Sequence, residues 1–271
     1  MRLLAAHAGW LQGLHARSDL APLRPRLPLW WDGVLIGSVE PGVPEAVLLQ
    51  GAGAGGAMPL QQVASGAGAG WHVRGELGGA LAQVAAALRA AGLTHAWRDE
   101  QLAVTGPDGR VLGTVERAVV RVLGIATRAV HLVGRTDDGG HWVQQRSLAK
   151  PNDPGLWDTL MGGMVPACDG LAQALARETW EEAGLRMEQL QALEWGGQLA
   201  IRRPAGQGQD RGYVIESIDW YRCRVPGDLA PQNQDGEVAQ FRRMDSAELV
   251  QRLVRDEFTL EAALIFGQEI G

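Results

Sequence analysis

Residues 162–185 read GGMVPACDGLAQALARETWEEAGL, and the reading of this stretch decides the fold. Asp169 is a favoured helix cap and Gly184 a favoured left-handed stop, so the pattern predicts a helix from Gly170 to Ala183. At about 100° per residue, Ala172, Ala176, Thr179 and Ala183 line one face, small enough to let the helix lie close against a sheet. Glu178, Glu181 and Glu182 fall on a different arc, with Arg177 at its edge. Like charges at this spacing repel, and the negative end of the helix dipole makes them less welcome still. A hard divalent cation accounts for the arrangement. Mg²⁺ or Mn²⁺ takes oxygen ligands, bridges to substrate phosphates and lowers the pKa of water for attack. The plainer alternative, on three glutamates alone, is a solvated acidic helix end.

Outward from this helix, residues 128–147 predict a hairpin turning at Asp137 to Gly140. KPNDPG (150–155) reads as a loop and LWDTLMGG (156–163) as a short strand. Strands follow at about 190–202 and 213–225, then a short strand at 237–244 and helices at 246–254 and 260–270. Strands with helices between and after them indicate an α/β or α+β sandwich over residues 121–271. Residues 1–120 form a smaller mixed α+β unit. In it, helical spacing links Leu3, Leu4, Trp10, Leu11 and Leu14, and a hairpin turns at Asp32-Gly33. Residues 51–70 predict a flexible glycine and alanine loop, 79–93 a helix, and 102–115 a second hairpin.

Composition narrows the function. A net charge of -6 argues against a general nucleic-acid binder. Two cysteines, Cys168 and Cys223, make neither a disulfide framework nor a zinc site, which favours a reduced, cytoplasmic setting. The N-terminus lacks the form of a secretory signal, and no apolar run approaches the ~20 residues of a membrane span. The expectation is a soluble protein without a membrane partner. Among 25 basic residues the only lysine is Lys150, which marks it either as a compact point charge that arginine cannot replace or as a chance survivor.

The full pattern runs Gly163, five residues, Asp169, seven residues, Arg177-Glu178-Thr179, one residue, Glu181-Glu182, one residue, Gly184-Leu185. It resembles the Nudix box, departing only where Asp169 replaces the first glutamate. That resemblance covers roughly residues 127–265 and implies an α/β/α sandwich whose glutamates hold divalent ions for hydrolysis of a nucleoside diphosphate linked to another moiety. It implies Glu178, Glu181 and Glu182 as metal ligands, with Gly162 in the same set, and Arg177 orienting them. Asp169 has two available roles, a carboxylate of the site and a helix cap. A later loop carboxylate often joins such sites, and of Asp235 and Glu237 the longer Glu237 is the candidate.

The run QQRS…K…PG.WD…GG (144–163), the later Asp235-Gly236-Glu237-Val238 and the extra N-terminal unit resemble the Nudix proteins related to thiamine pyrophosphokinase. That implies a small-molecule substrate, thiamine diphosphate or its oxidised oxo and oxy forms, converted to the monophosphate. Such a substrate needs phosphate partners, for which Arg146 and Lys150 are candidates, and an aromatic wall, for which Trp157 is the candidate against a plain core role. Three alternatives stay open: a hydrolase of ADP-ribose or a similar nucleotide, an isopentenyl diphosphate isomerase-like enzyme, and a non-catalytic binding module. The isomerase needs a cysteine ahead of the box, and none precedes Cys168. For the N-terminal unit the available roles are covering the pocket, donating a specificity residue and mediating a homodimer.

Overall fold

The computed structural model describes residues 7–53, 58–205 and 212–270. In chain order the elements are α1 (Ala8–Ser18), β1 (Leu27–Trp31), β2 (Val34–Val39), α2 (Val43–Gly53), β3 (Leu60–Val63), β4 (Gly70–Val73), α3 (Leu77–Ala90), β5 (Gln101–Thr105) and β6 (Val111–Glu116). Then follow β7 (Thr127–Arg135), β8 (His141–Arg146), β9 (Trp157–Asp158), β10 (Met161–Met164) and α4 (Leu171–Ala183). The chain closes with β11 (Gln191–Pro204), β12 (Tyr213–Arg224), β13 (Val238–Met244), α5 (Ser246–Val254) and α6 (Leu260–Ile270). No helix among the described residues is long and apolar enough to cross a membrane.

The later elements build one seven-stranded mixed sheet in the order β11-β12-β7-β8-β13, with β10 on β7 and β9 on β8. Only β12 and β7 run parallel, pairing from Glu216 with Thr127 to Arg224 with Arg135. Alternation along β7 serves both faces. Val130 and Leu132 pack with Ala174, Leu175 and Ala183 of α4, while Ala129 and Val133 pack with Ile218 and the α6 residues Ala262 and Phe266. Helices on both faces make the α/β/α sandwich that the resemblance implies. The predicted strand at 156–163 is two strands. The chain turns a corner at Thr159 and Leu160, both buried, so that β9 and β10 reach different neighbours.

Ahead of it, a four-stranded sheet (β2-β1-β4-β3), α2, α3 and the β5–β6 hairpin surround a separate core that includes Leu29, Val47, Trp71, Leu81 and Leu102. The glycine-rich stretch is more ordered than its composition suggests. Residues 54–57 lie outside the described residues, but β3 and the start of β4 fall within the rest. Gly70 supplies something no other residue can, because a Cβ there would stand 2.5 Å from the Pro28 carbonyl of the neighbouring strand at a φ of +138°. Helix α1 packs on α6 and β11, with Leu14 fully buried in the core of the second sheet. The part of the predicted apolar stripe at Leu3 and Leu4 lies outside the described residues.

Candidate active site

Helix α4 starts and stops almost where predicted, but its buried face is turned. Ala174, Leu175, Thr179, Glu182 and Ala183 are buried, whereas Ala172 is exposed and Ala176 half-buried. The acidic arc therefore overlaps the packed arc instead of facing away. Asp169 is not the cap: Gly170 holds that position, its N–H donating to Gln173 Oε1 at 2.8 Å. The Asp169 carboxylate instead accepts from Arg177 Nε at 3.0 Å. At the other end, Gly184 ends the helix at a φ of 63°. The N–H groups of Gln232 and Gln234 then donate to the Ala183 and Glu181 carbonyls at 2.8 and 3.0 Å. Those bonds satisfy terminal helix carbonyls and fix the loop that carries Asp235 and Glu237 beside the acidic helix end.

Five carboxylates meet two cations here. Arg177 Nη1 lies 3.0 Å from Glu178 Oε1 and 2.8 Å from Glu181 Oε2. Burial works against the Arg177 charge, yet Glu178, Asp169 and Glu181 together hold its pKa above the ordinary value. Glu182, 1% exposed, accepts from Gln144 Nε2 at 2.8 Å, the Gly162 N–H at 3.0 Å and Lys150 Nζ at 3.3 Å. Lys150 also pairs with Glu237, so the single lysine sits inside the acidic cluster. Burial pushes the Glu182 carboxyl up. Burial also pushes Glu178 up to about 7, with Glu182 and Glu181 adding to the effect and Arg177 opposing it. Among the described residues, no three His, Cys, Asp or Glu side chains are drawn together as a ready metal cage. The chemistry of the donors fits a hard divalent cation all the same: every anionic group is a carboxylate, and the cations between them are the side chains of Arg177 and Lys150.

The two glycines before the helix make this approach possible. A Cβ on Gly163 would fall 2.2 Å from Glu178 Cδ, and one on Gly162 would fall 2.4 Å from the His131 ring. The cluster opens on a cleft of about 1700 Å³ whose walls include Arg146, Lys150, Gly162, Glu178, Glu181 and Glu237. Arg146 leans on Asp158 through Nη1 at 3.3 Å and on the Asn152 carbonyl through Nη2 at 3.1 Å. Trp157 stands apart. It is buried among core residues with Phe258 and is not among the cleft walls, since pairing with β8 turns its ring into the sheet's packed face.

Several site residues escaped the sequence reading. Gln144, 1% exposed, and His131, bonded to Thr159 Oγ1 at 2.9 Å, back the cluster from β8 and β7. The available signal was a polar side chain at an interior position of an otherwise apolar strand. Glu216, also on the cleft wall, accepts from Thr127 Oγ1 at 3.0 Å and lies near Arg121 and Glu261, with burial raising its pKa. The first unit forms a wall as well, through Arg98, Gln101, Thr114 and Arg117. Of the cysteines, Cys223 is buried, its thiol pushed up to about 12 by burial, while Cys168 is exposed on the loop that enters α4.

With this geometry established, the NUDIX domain family model matches residues 126–263. The chain belongs to the Nudix family. The Nudix segment thus runs from β7 into the first turn of α6 and contains the whole acidic cluster, while the wall given by the first unit lies outside it. Among relatives, the chain is 29% identical over 149 residues to Nudix hydrolase 24, chloroplastic, of Arabidopsis thaliana, covering 54% of this chain and 40% of that one. It is 26% identical over 185 residues to an uncharacterized protein of Saccharomyces cerevisiae, covering 62% of this chain and 53% of that protein. The chain therefore spans about half the length, or less, of these relatives. Among solved structures, a Deinococcus radiodurans protein superposes with a TM-score of 0.49 at 20% identity, covering 62% of this chain and 98% of that one.

Proposed function

We propose that this Nudix protein is a metal-dependent hydrolase of diphosphate linkages in small molecules. The observation that carries this reading is the convergence of Glu178, Glu181, Glu182 and Glu237 with Lys150 at one end of a cleft that also holds Arg146. Glu178, Glu181 and Glu182, with Gly162 beside them, would hold Mg²⁺ or Mn²⁺. The ion, when bound, polarises a phosphoryl oxygen and makes water a better nucleophile. Arg177 keeps Glu178 and Glu181 oriented through its two ion pairs. Gln144 and the Gly162 N–H hold Glu182 in place. Once a metal engages the carboxylates, Lys150 and Arg146 are the cations available to the phosphoryl oxygens as charge develops on them. Water adds to one phosphorus, its P–O–P bond breaks, and the products are two phosphates, one still bearing the organic group.

The substrate class within this reading is thiamine diphosphate or its oxidised forms. Support comes from the sequence elements around Arg146, Lys150 and Glu237 and from the additional N-terminal unit. The expected aromatic wall at Trp157 does not contribute, because that ring is in the core. The deciding experiment compares formation of the monophosphate products from thiamine diphosphate, oxo-thiamine diphosphate and ADP-ribose with Mg²⁺, using Glu181→Gln as control. Glu181-dependent turnover of the thiamine compounds supports both levels of the proposal. Glu181-dependent turnover of ADP-ribose alone keeps the hydrolase and removes the thiamine substrate, and no turnover of any favours the binding module.

A further inference from the structure

Part of the cleft lies outside the Nudix segment, and there two arginines, Arg98 and Arg117, stand beside Asp99 and Glu100. Arg98 and Arg117 both line the cleft, from the turn before β5 and from the 3-10 turn after β6. Their backbones are fixed. Glu116, 3% exposed, accepts from the N–H of Arg98 at 3.2 Å and that of Ala118 at 3.3 Å, tying the two turns to one buried carboxylate. Asp99, at a φ of 54°, accepts from Trp97 Nε1 at 2.6 Å, and the Arg117 N–H donates to the Glu100 carbonyl at 2.9 Å. The hairpin itself is docked on the loop that enters α4: the Ala167 N–H donates to the Gln101 carbonyl at 2.8 Å, and Leu102 bridges Pro166. Met164, at the end of β10, packs into the first unit's core.

The side chains, in contrast, reach toward solvent. The Arg98 guanidinium is exposed and makes no hydrogen bond or ion pair with any described residue, while Arg117 holds Glu100 through Nη1 at 2.6 Å in a half-exposed pair. Both lie close enough for their charge to act on the Glu237 carboxylate, which Lys150 also engages. A rigid backbone with a free guanidinium fork at Arg98, and a second at Arg117 that Glu100 engages through one nitrogen, suits bidentate capture of a phosphate, which arginine does better than a point charge.

We propose that Arg98 and Arg117 bind the substrate's diphosphate from the first unit's side of the cleft, so that the first unit completes the active site. This rests on the diphosphate reading above. A diphosphate entering the cleft then takes over the positive charge that Glu237 otherwise experiences, and the metal-binding helix and the two arginines grip one ligand between them.

Inorganic diphosphate with Mg²⁺, titrated calorimetrically into the full chain, tests this without assuming an organic substrate. Arg98→Ala is expected to weaken binding about tenfold, with Arg98→Lys recovering part of the loss and Arg117→Ala weakening it similarly. Arg110→Ala, on the same hairpin but outside the cleft walls, controls for net charge and leaves binding unchanged. Unaltered melting temperatures establish that the variants are folded, and the Arg98 pair decides the matter if Arg117→Ala is not. Wild-type affinity in folded Arg98→Ala overturns this inference alone. Failure of the wild type to bind diphosphate overturns the diphosphate reading and this inference with it.

Discussion

Glu178 shows how a residue that is poorly placed for stability serves the site. Its carboxyl ordinarily titrates near 4.5 and is raised by burial to about 7. A carboxyl raised on folding contributes stability that is complete below pH 4.5 and is lost as pH rises through about 7, on the order of 3 kcal/mol in all. Urea melts in EDTA should therefore show stability falling across that window, and Glu178→Gln should flatten the fall. Added Mg²⁺ acts in the opposite sense, since it binds the ionised form and must displace the proton below pH 7. Its stabilising effect should grow with pH up to about 7 and then level off. Parallel pH curves for wild type and Glu178→Gln in EDTA would remove Glu178 as the source.

At the scale of elements, the β10–α4 pair converts sequence into geometry. A methyl group on Gly163 would occupy the space of the Glu178 carboxylate, at 2.2 Å from Cδ and 2.4 Å from Oε1. Gly163→Ala should lower kcat by roughly 100-fold through displacement of that side chain, with the circular dichroism spectrum unchanged. Retention of near-normal kcat would show that Glu178 tolerates displacement. The boundaries of α4 were legible because Asp169-Gly170 ahead of the helix and Gly184 after it are local signals. Its buried face was not, because burying Glu182 requires Gln144, Gly162 and Lys150, which arrive from β8, β10 and the loop between them. The same reason explains Asp169: its cap chemistry is local, but the Arg177 guanidinium eight residues on is a stronger partner. Helix α2 and β3–β4 were hidden by the small residues around them, although buried Val43, Val47, Trp71 and Val73 supply their packing.

For the whole molecule, the sequence marked a change of character near residue 120 but not how the parts meet. Helix α1 belongs by packing to the second core, and the chain returns to the first only at β1. A buried ion pair sits where the two cores adjoin. Glu40, with its side chain 9% exposed, accepts from Arg26 Nη1 at 3.3 Å and from the Gly212 N–H ahead of β12 at 3.3 Å. Arg26, 5% exposed, also donates to the Ser38 hydroxyl at 2.9 Å and the Val122 carbonyl at 2.8 Å. Burial lowers the Arg26 pKa and Glu40 opposes that, so the carboxylate is what makes a buried guanidinium tolerable. Removing one partner of such a pair leaves a charge uncompensated, which costs more than the pair contributes. Glu40→Ala should therefore destabilise the protein by about 3 kcal/mol in urea unfolding, while Glu40→Ala with Arg26→Leu should cost less than Glu40→Ala alone. Because Glu40 holds Gly212 as well as Arg26, the single variant should also loosen the start of β12, seen as faster amide exchange at Tyr213 and Val214. A loss below 1 kcal/mol with unchanged exchange would mean that the two cores are held together by their apolar contacts and that this ion pair is incidental to the junction.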